Sequence, residues 1–231
     1  MKSLDKCGII IQARMSSKRF SGKMMARLSA DPLVKYVYAR CRRSGAGKVL
    51  VATSTEGSDD VLYNYCKAER IPAMRGDIDN VVKRYADAAR AAGIEYICRV
   101  CGDTPFVDTA LIDALFDTLI SGKLDYAAPD RQTCAPGFYC ETFTLKALTK
   151  VLESAKSPDD LEHVTKYILD NRDKFAVKLV DAGLNPDFAR KTRFTIDYPE
   201  DIETGRKIAA RLSADYSFTS RDVLEAVREI G

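Results

Sequence analysis

β-Branched runs and amphipathic helical stretches alternate from almost the first residue, and this alternation constrains the fold more than any other feature. Gly8-Ile9-Ile10-Ile11-Gln12 reads as a strand buried on both faces. Asp31-Pro32 supplies an N-cap and a first-turn proline for a helix with Leu33, Val34, Val37 and Tyr38 on one face, closed by Gly47. Val49–Ala52, Ile71–Met74 and Tyr96–Val100 read as three further strands. Between and after them, 60–68, 81–92 and 111–120 carry helical stripes, the second ended by Gly93. Four strand-helix units over about 125 residues predict a mostly parallel sheet with helices on both faces. Such a sheet binds ligands beyond the carboxyl ends of its strands.

After Pro129 the rhythm changes. A polar stretch precedes a strand at 138–143, helices at 145–154 and 161–171, and a strand at 176–180. Arg193–Ile196 reads as a last strand, followed by a helix begun by Pro199 and another N-capped by Ser220. The expectation is one α/β domain with an inserted α+β lobe from about Asp130 to Asp181.

At 231 residues and 46% hydrophobic, the chain can bury a sizeable core. A net charge of +3 does not point to nucleic acid as a bulk partner. Neither a signal peptide after Met1–Lys6 nor a membrane span is visible, and the seven cysteines include no zinc-type double CxxC. Cys98 and Cys101 do read C-x-x-C, but within a strand, where buried thiols are expected. These features predict a cytoplasmic protein. Ala39–Arg43 is basic and reads as the solvated end of a helix.

The segment from Ala13 to Lys23 follows the first strand, where a phosphate-binding loop belongs. It holds four cations (Arg14, Lys18, Arg19, Lys23), the hydroxyls of Ser16, Ser17 and Ser21, and Gly22. A triphosphate needs cations to offset its charge, donors for its oxygens and small residues for close backbone approach. The pattern is neither a P-loop nor a dinucleotide fingerprint. The competing reading is a solvated basic loop. Gly102-Asp103 ends the fourth strand with a carboxylate after a residue that lets backbone approach a ligand, and Asp197 follows Ile196 in the same form. Two such carboxylates can share one Mg²⁺. The competing readings make each a helix-start residue, although Asp108 is better placed than Asp103 to cap the next helix.

The stretch from Ile10 to Lys23 resembles the opening of the spore-coat-polysaccharide (SpsF-type) cytidylyltransferases, relatives of the CMP-sialate and CMP-Kdo synthetases. The likeness continues in order through Arg75-Gly76, Arg84-Tyr85, Gly102-Asp103-Thr104-Pro105, Glu141, Glu162-His163-Val164-Thr165 and Thr195 to Asp201. It implies a Rossmann-like nucleotidyltransferase (GT-A-like) fold that uses CTP and Mg²⁺. By the likeness, Arg14 and Lys23 grip phosphate and act in catalysis, and Asp103 and Asp197 hold the metal. Ala13, Ser16, Ser17, Arg19, Arg75, Gly76 and Gly102 fall on nucleotide-binding segments, while Tyr139, Glu141 and His163 fall on the acceptor side. Family members usually carry Gly where Ser16 stands, Thr at Lys18, Pro at Ser21 and an acidic residue at Tyr139. Glu141 could meet an acceptor hydroxyl or pair with Arg131, and His163, the single histidine, could act as a base, hold acceptor charge or merely pack.

The implied reaction transfers CMP from CTP to an acidic acceptor, a nonulosonic or ulosonic sugar acid first and a small phosphonate second, releasing pyrophosphate. A homodimer through the lobe is also implied. The alternatives are a transferase using UTP or GTP on a sugar phosphate, and a nucleotide-binding relative without turnover.

Overall fold

The computed structural model describes residues 4–184 and 192–230. Its first half follows the alternation: β1 (Cys7–Gln12), α1 (Leu33–Cys41), β2 (Lys48–Ser54), α2 (Asp60–Ala68), β3 (Ala73–Gly76), α3 (Val81–Ala92), β4 (Tyr96–Cys101) and α4 (Thr109–Ser121). The second half adds β5 (Tyr126–Pro129), β6 (Glu141–Thr144), α5 (Leu145–Ser154), α6 (Pro158–Glu162), α7 (Lys166–Asp170), β7 (Val177–Val180), α8 (Pro199–Ala209) and α9 (Ser220–Ile230). All seven strands form one sheet in the order β3-β2-β1-β4-β6-β5-β7. β1 pairs in parallel with β2 and β4, and β2 with β3; only β6 runs against its neighbours. The segment from about 130 to 181 supplies β6 and β7 to this same sheet.

Side chains alternate across a strand, so a run of three isoleucines serves two cores. Ile9 and Ile11 pack with Val51, Val100, Leu115 and Phe116 on one face, beneath α1, α2, α4, α8 and α9. Ile10 packs with Leu50, Tyr85, Phe143 and Leu148 on the other, beneath α3 and α5. Each fully buried isoleucine contributes roughly 2–3 kcal/mol of transfer free energy. Helix ends are set by local chemistry. Asn80 accepts from Lys83 N and Gly93, at φ 63°, closes α3. Asp108 accepts from Leu111 N and caps α4, which leaves Asp103 free of that role.

Residues 193–196 form no strand: the segment meets the sheet only past the end of β4, where one bond, Ile196 N to Asp103 O at 2.9 Å, holds it without making a ladder. In place of the expected strand at 138–143, β6 runs from Glu141 to Thr144, and β5 (Tyr126–Pro129) is a strand that the sequence pattern does not mark. The expected helix 161–171 breaks at His163, whose extended backbone turns Val164 and Thr165 inward. α1 ends at Cys41, well before Gly47. Asp31 does not cap α1; it pairs with Lys35 and accepts from Tyr216 Oη. Thr219 rather than Ser220 caps α9, exchanging hydrogen bonds with Asp222. Arg40 is not solvated. It is buried, donates to Val107 O and Tyr216 O, and stacks over Phe218 at 4.1 Å. All seven cysteines are free thiols, and Cys98 faces the core opposite the face that Cys101 lines, so the C-x-x-C pair does not converge.

Candidate active site

The carboxyl ends of β1 and β4 open into a cavity of about 330 Å³ lined by Gln12, Arg14, Ser17, Arg19, Lys23 and Asp103, with Ser16, Lys18, Met24, Cys101 and Gly102 completing it. The basic loop therefore faces a cleft and is not merely solvated surface. Its path is set by its own backbone and by one buried carboxylate. Met15 O accepts from both Ser17 N and Gly22 N, and Gly22 takes φ 75°, a conformation costly for other residues. Asp59, fully buried, accepts from Met15 N at 2.7 Å and from Ser54 N and Oγ. Burial pushes the Asp59 carboxyl up, but these hydrogen bonds outweigh burial and hold it below the usual carboxylate range. Asp59 was missed from sequence, where it reads as one acidic residue in the Gly57–Asp60 turn.

Gly102 sits where a Cβ would meet Met24 Sδ at 2.8 Å and Ala13 Cβ at 3.1 Å. Its lack of a side chain thus serves the packing of the loop against β4. Ala13 is buried and continues β1 by donating to Ala52 O.

Past this point the two acidic motifs meet. Lys23 Nζ lies 2.6 Å from Asp103 Oδ2, 2.9 Å from Ile196 O and 3.7 Å from Asp197 Oδ1, with its side chain only 8% exposed. Arg19 donates to Asp197 Oδ1, and Thr195 Oγ1 to Oδ2. Asp201 accepts from Asp197 N and Tyr198 N and so fixes the turn into α8. Asp103 and Asp197 converge on one cation position, which Lys23 fills. That donor set fits Mg²⁺, which commonly binds through one or two carboxylates and completes its shell with substrate phosphates and water. Among the described residues no group of three or more His, Cys, Asp or Glu side chains gathers as an all-protein metal cage. Lys23 and Arg19 are thus engaged by carboxylates, while Arg14 and Lys18 face the cavity without an ion pair to a described carboxylate.

Arg75 and Gly76 lie outside this lining. Arg75 pairs with Asp60 at 2.6 Å and donates to Ser54 O and Glu56 O, and Gly76 packs against Arg84. Of the residues expected to meet an acceptor, Glu141 pairs with Arg99 at 2.6 Å, not with Arg131. Its other oxygen accepts from Tyr126 Oη at 2.7 Å and Thr165 Oγ1 at 2.9 Å. Burial pushes the Glu141 carboxyl up; the Arg99 guanidinium and the two hydroxyls outweigh burial and bring it below the usual range. Tyr139 Oη lies 3.4 Å from Tyr126 Oη, with Arg131 over its ring at 4.6 Å. His163 is exposed and lies 3.4 Å from Asp159. Glu141 and His163 line a second cavity of about 380 Å³. A larger cavity, about 480 Å³, sits near Tyr96, Leu124 and Leu145 at the opposite end of the sheet, away from the strand ends where such folds bind ligands. No described helix is long and apolar enough to cross a membrane.

A family model described as cytidylyltransferase matches residues 8–226. The spore coat polysaccharide biosynthesis protein SpsF of Bacillus subtilis is 30% identical over 204 residues, 84% of this chain and 82% of that protein. The structure of a cytidylyltransferase from Leptospira borgpetersenii superposes with a TM-score of 0.86 at 29% identity, covering 97% of this chain and 94% of the other. A CMP:2-keto-3-deoxy-manno-octonic acid synthetase solved with CTP shares the fold at a TM-score of 0.67 and 18% identity, over 89% of this chain and 98% of that one.

Proposed function

The chain belongs to the cytidylyltransferase family, and from that premise we propose that it transfers CMP from CTP to an acidic acceptor, a sugar acid or a small phosphonate, with Mg²⁺. The observation that carries this reading is the convergence of Asp103 and Asp197 on one cation position at the mouth of the Arg14–Lys23 loop. An acceptor oxygen attacks the α-phosphorus of CTP. The new O–P bond forms as the bond to the β-phosphate oxygen breaks, and pyrophosphate leaves.

Bound at Asp103 and Asp197, Mg²⁺ would supply positive charge against the phosphate oxygens. The chain's own part is positioning and neutralisation. Arg14 offers a planar fork to the triphosphate, and Ser16 and Ser17 offer hydroxyls beside it. Lys23, released from the carboxylates, is a mobile point charge able to follow the charge building on pyrophosphate.

The test is a nucleotide panel followed by an acceptor screen. With Mg²⁺, CTP should raise the melting temperature more than ATP, GTP or UTP. Sugar acids and phosphonates should then release pyrophosphate and give a CMP-linked product by mass. Equal stabilisation by all four nucleotides, or a preference for UTP or GTP, would defeat the cytidylyl reading; nucleotide binding without pyrophosphate release for any acceptor would favour a non-catalytic relative.

A further inference from the structure

We propose that the second cavity is an oxyanion subsite for the acceptor, with Arg99 as its deep anchor and Arg131 at its rim; this rests on the cytidylyl-transfer reading above. Arg99 lies on β4 with its side chain 23% exposed. Its Nε donates to Gln12 Oε1 at 3.2 Å and its Nη1 to Glu141 Oε2 at 2.6 Å. Nη2 hydrogen-bonds to no described residue, and the side chain lines the cavity. Two edges of the guanidinium are therefore fixed by protein and a third is left for a ligand. A planar fork can serve three partners at once in this way; a lysine ammonium cannot hold the same geometry.

The charges around the cavity decide what ligand it favours. Glu141 is balanced by Arg99 and saturated by Tyr126 and Thr165. Lys166 is held by Asp159, Asp160 and Asp170, so it and Asp170 offset one another. His163 leans on Asp159. Arg131 stacks on Tyr139 and makes no ion pair with a described carboxylate. Among the side chains that line the cavity, Arg99, Arg131 and Lys166 face Glu141 and Asp170, which leaves one positive charge on the lining; Asp159 and Asp160, which also hold Lys166, stand outside it. A neutral sugar would leave that charge unanswered, whereas a carboxylate or phosphonate would answer it.

The subsite also lies in the right place. Gln12 lines the nucleotide cavity and holds Arg99, which lines the second one. The two cavities therefore adjoin at the Gln12–Arg99 contact. Cys101, two residues beyond Arg99, already belongs to the nucleotide side. An anion held by Arg99 puts the rest of the acceptor beside the nucleotide. Glu141 becomes a positioning residue that orients Arg99.

Titration of ¹⁵N-arginine-labelled protein tests this, with the Arg99 Nε–H resonance assigned by its loss in Arg99→Lys. The probes are 3-deoxy-manno-octulosonate as carboxylate, methylphosphonate as phosphonate and glucose as neutral control. At least one oxyanion should shift the Arg99 resonance and glucose should not; which of the two does so identifies the acceptor's anion. Arg99→Lys should weaken oxyanion binding about 10-fold to 100-fold, the scale of a charge-assisted hydrogen bond. Arg131→Gln, a change at an exposed site that leaves the core alone, should weaken it several-fold. Stabilisation by CTP should persist in both variants. Oxyanion binding that is absent, or that ignores both variants while wild-type protein still binds CTP, overturns the subsite and leaves the cytidylyl reading standing. Failure of wild-type protein to bind CTP overturns both.

Discussion

Lys23 meets Asp103 and Asp197 through a single ammonium on a flexible stem, whereas Arg99 meets Glu141 through a planar fork that Gln12 also holds. Both clusters stand at the carboxyl end of the sheet. The first is open: the Asp103 and Asp197 side chains are 25% and 19% exposed. The second is closed, with Glu141 2% exposed and both its oxygens occupied. Solvent already reaches both carboxylates of the first cluster, so a second cation can approach them. Removing the cation at the second cluster would strand a buried charge, at a cost of about 3–5 kcal/mol. The difference separates a place able to trade its cation from one built to keep it, as the proposed metal and phosphate site and the proposed acceptor anchor each require.

The largest effect should come from the open cluster. Asp103→Asn and Asp197→Asn each remove one carboxylate of the proposed Mg²⁺ pair while keeping shape, and a neutral amide binds Mg²⁺ far less well. Each should lower kcat on the order of 10³-fold, corresponding to about 4 kcal/mol of transition-state stabilisation. Steady-state kinetics with circular dichroism as a folding control measure this. An Asp197→Asn enzyme near wild-type turnover would reduce Asp197 to an anchor for Arg19 at the start of α8.

Next comes the cation itself. Lys23→Met should lower kcat about 10²-fold, comparable with the loss of one preorganised electrostatic donor. It should also make Mg²⁺ alone a better stabiliser than in wild-type protein, since the ammonium no longer competes for Asp103 and Asp197. A raised KM for CTP at unchanged kcat would leave Lys23 a binding residue. Equal Mg²⁺ stabilisation of both proteins would place ammonium and metal at separate positions and break the contrast between the clusters.

The open cluster was legible in the sequence and the closed one was not. Lys23, Asp103 and Asp197 each follow a strand-like run, so a parallel sheet delivers them to one end whatever its details. Even so, the strand assigned before Asp197 does not exist, and that carboxylate is placed by Asp201 and by one hydrogen bond to Asp103 O. Glu141 was noticed, but its partner lies 42 residues away on a strand that runs the other way. An antiparallel pairing between β4 and β6 leaves no local pattern, and Arg99 reads as a polar residue within an apolar strand. Asp59 escaped for a similar reason: its partner, Met15 N, is a backbone group 44 residues distant. Periodicity predicts which way a side chain points and says little about which distant backbone it meets.

The smallest effect sharpens the closed side of the contrast. The Glu141 carboxyl lies below its ordinary value of 4.5: burial opposes ionisation, but Arg99, Tyr126 and Thr165 outweigh it. A carboxyl depressed on folding takes up its proton more readily in the unfolded chain, so acid favours unfolding. Its contribution to stability is complete above about pH 4.5 and is lost as pH falls through the lower folded value. Gln at this position has no proton to take up. Glu141→Gln should therefore melt lower than wild type near neutrality, because Arg99 loses its counter-charge, yet lose less further stability as the medium is acidified. The expected readout is a shallower fall of unfolding free energy with acid in Glu141→Gln than in wild type. Asp59 is also depressed, but it titrates in both proteins and cancels from the comparison. Urea unfolding of the two proteins between about pH 6 and pH 3 measures the difference. Parallel curves would mean that Glu141 titrates alike in folded and unfolded chains, and the claim that the second cluster is locked would fall.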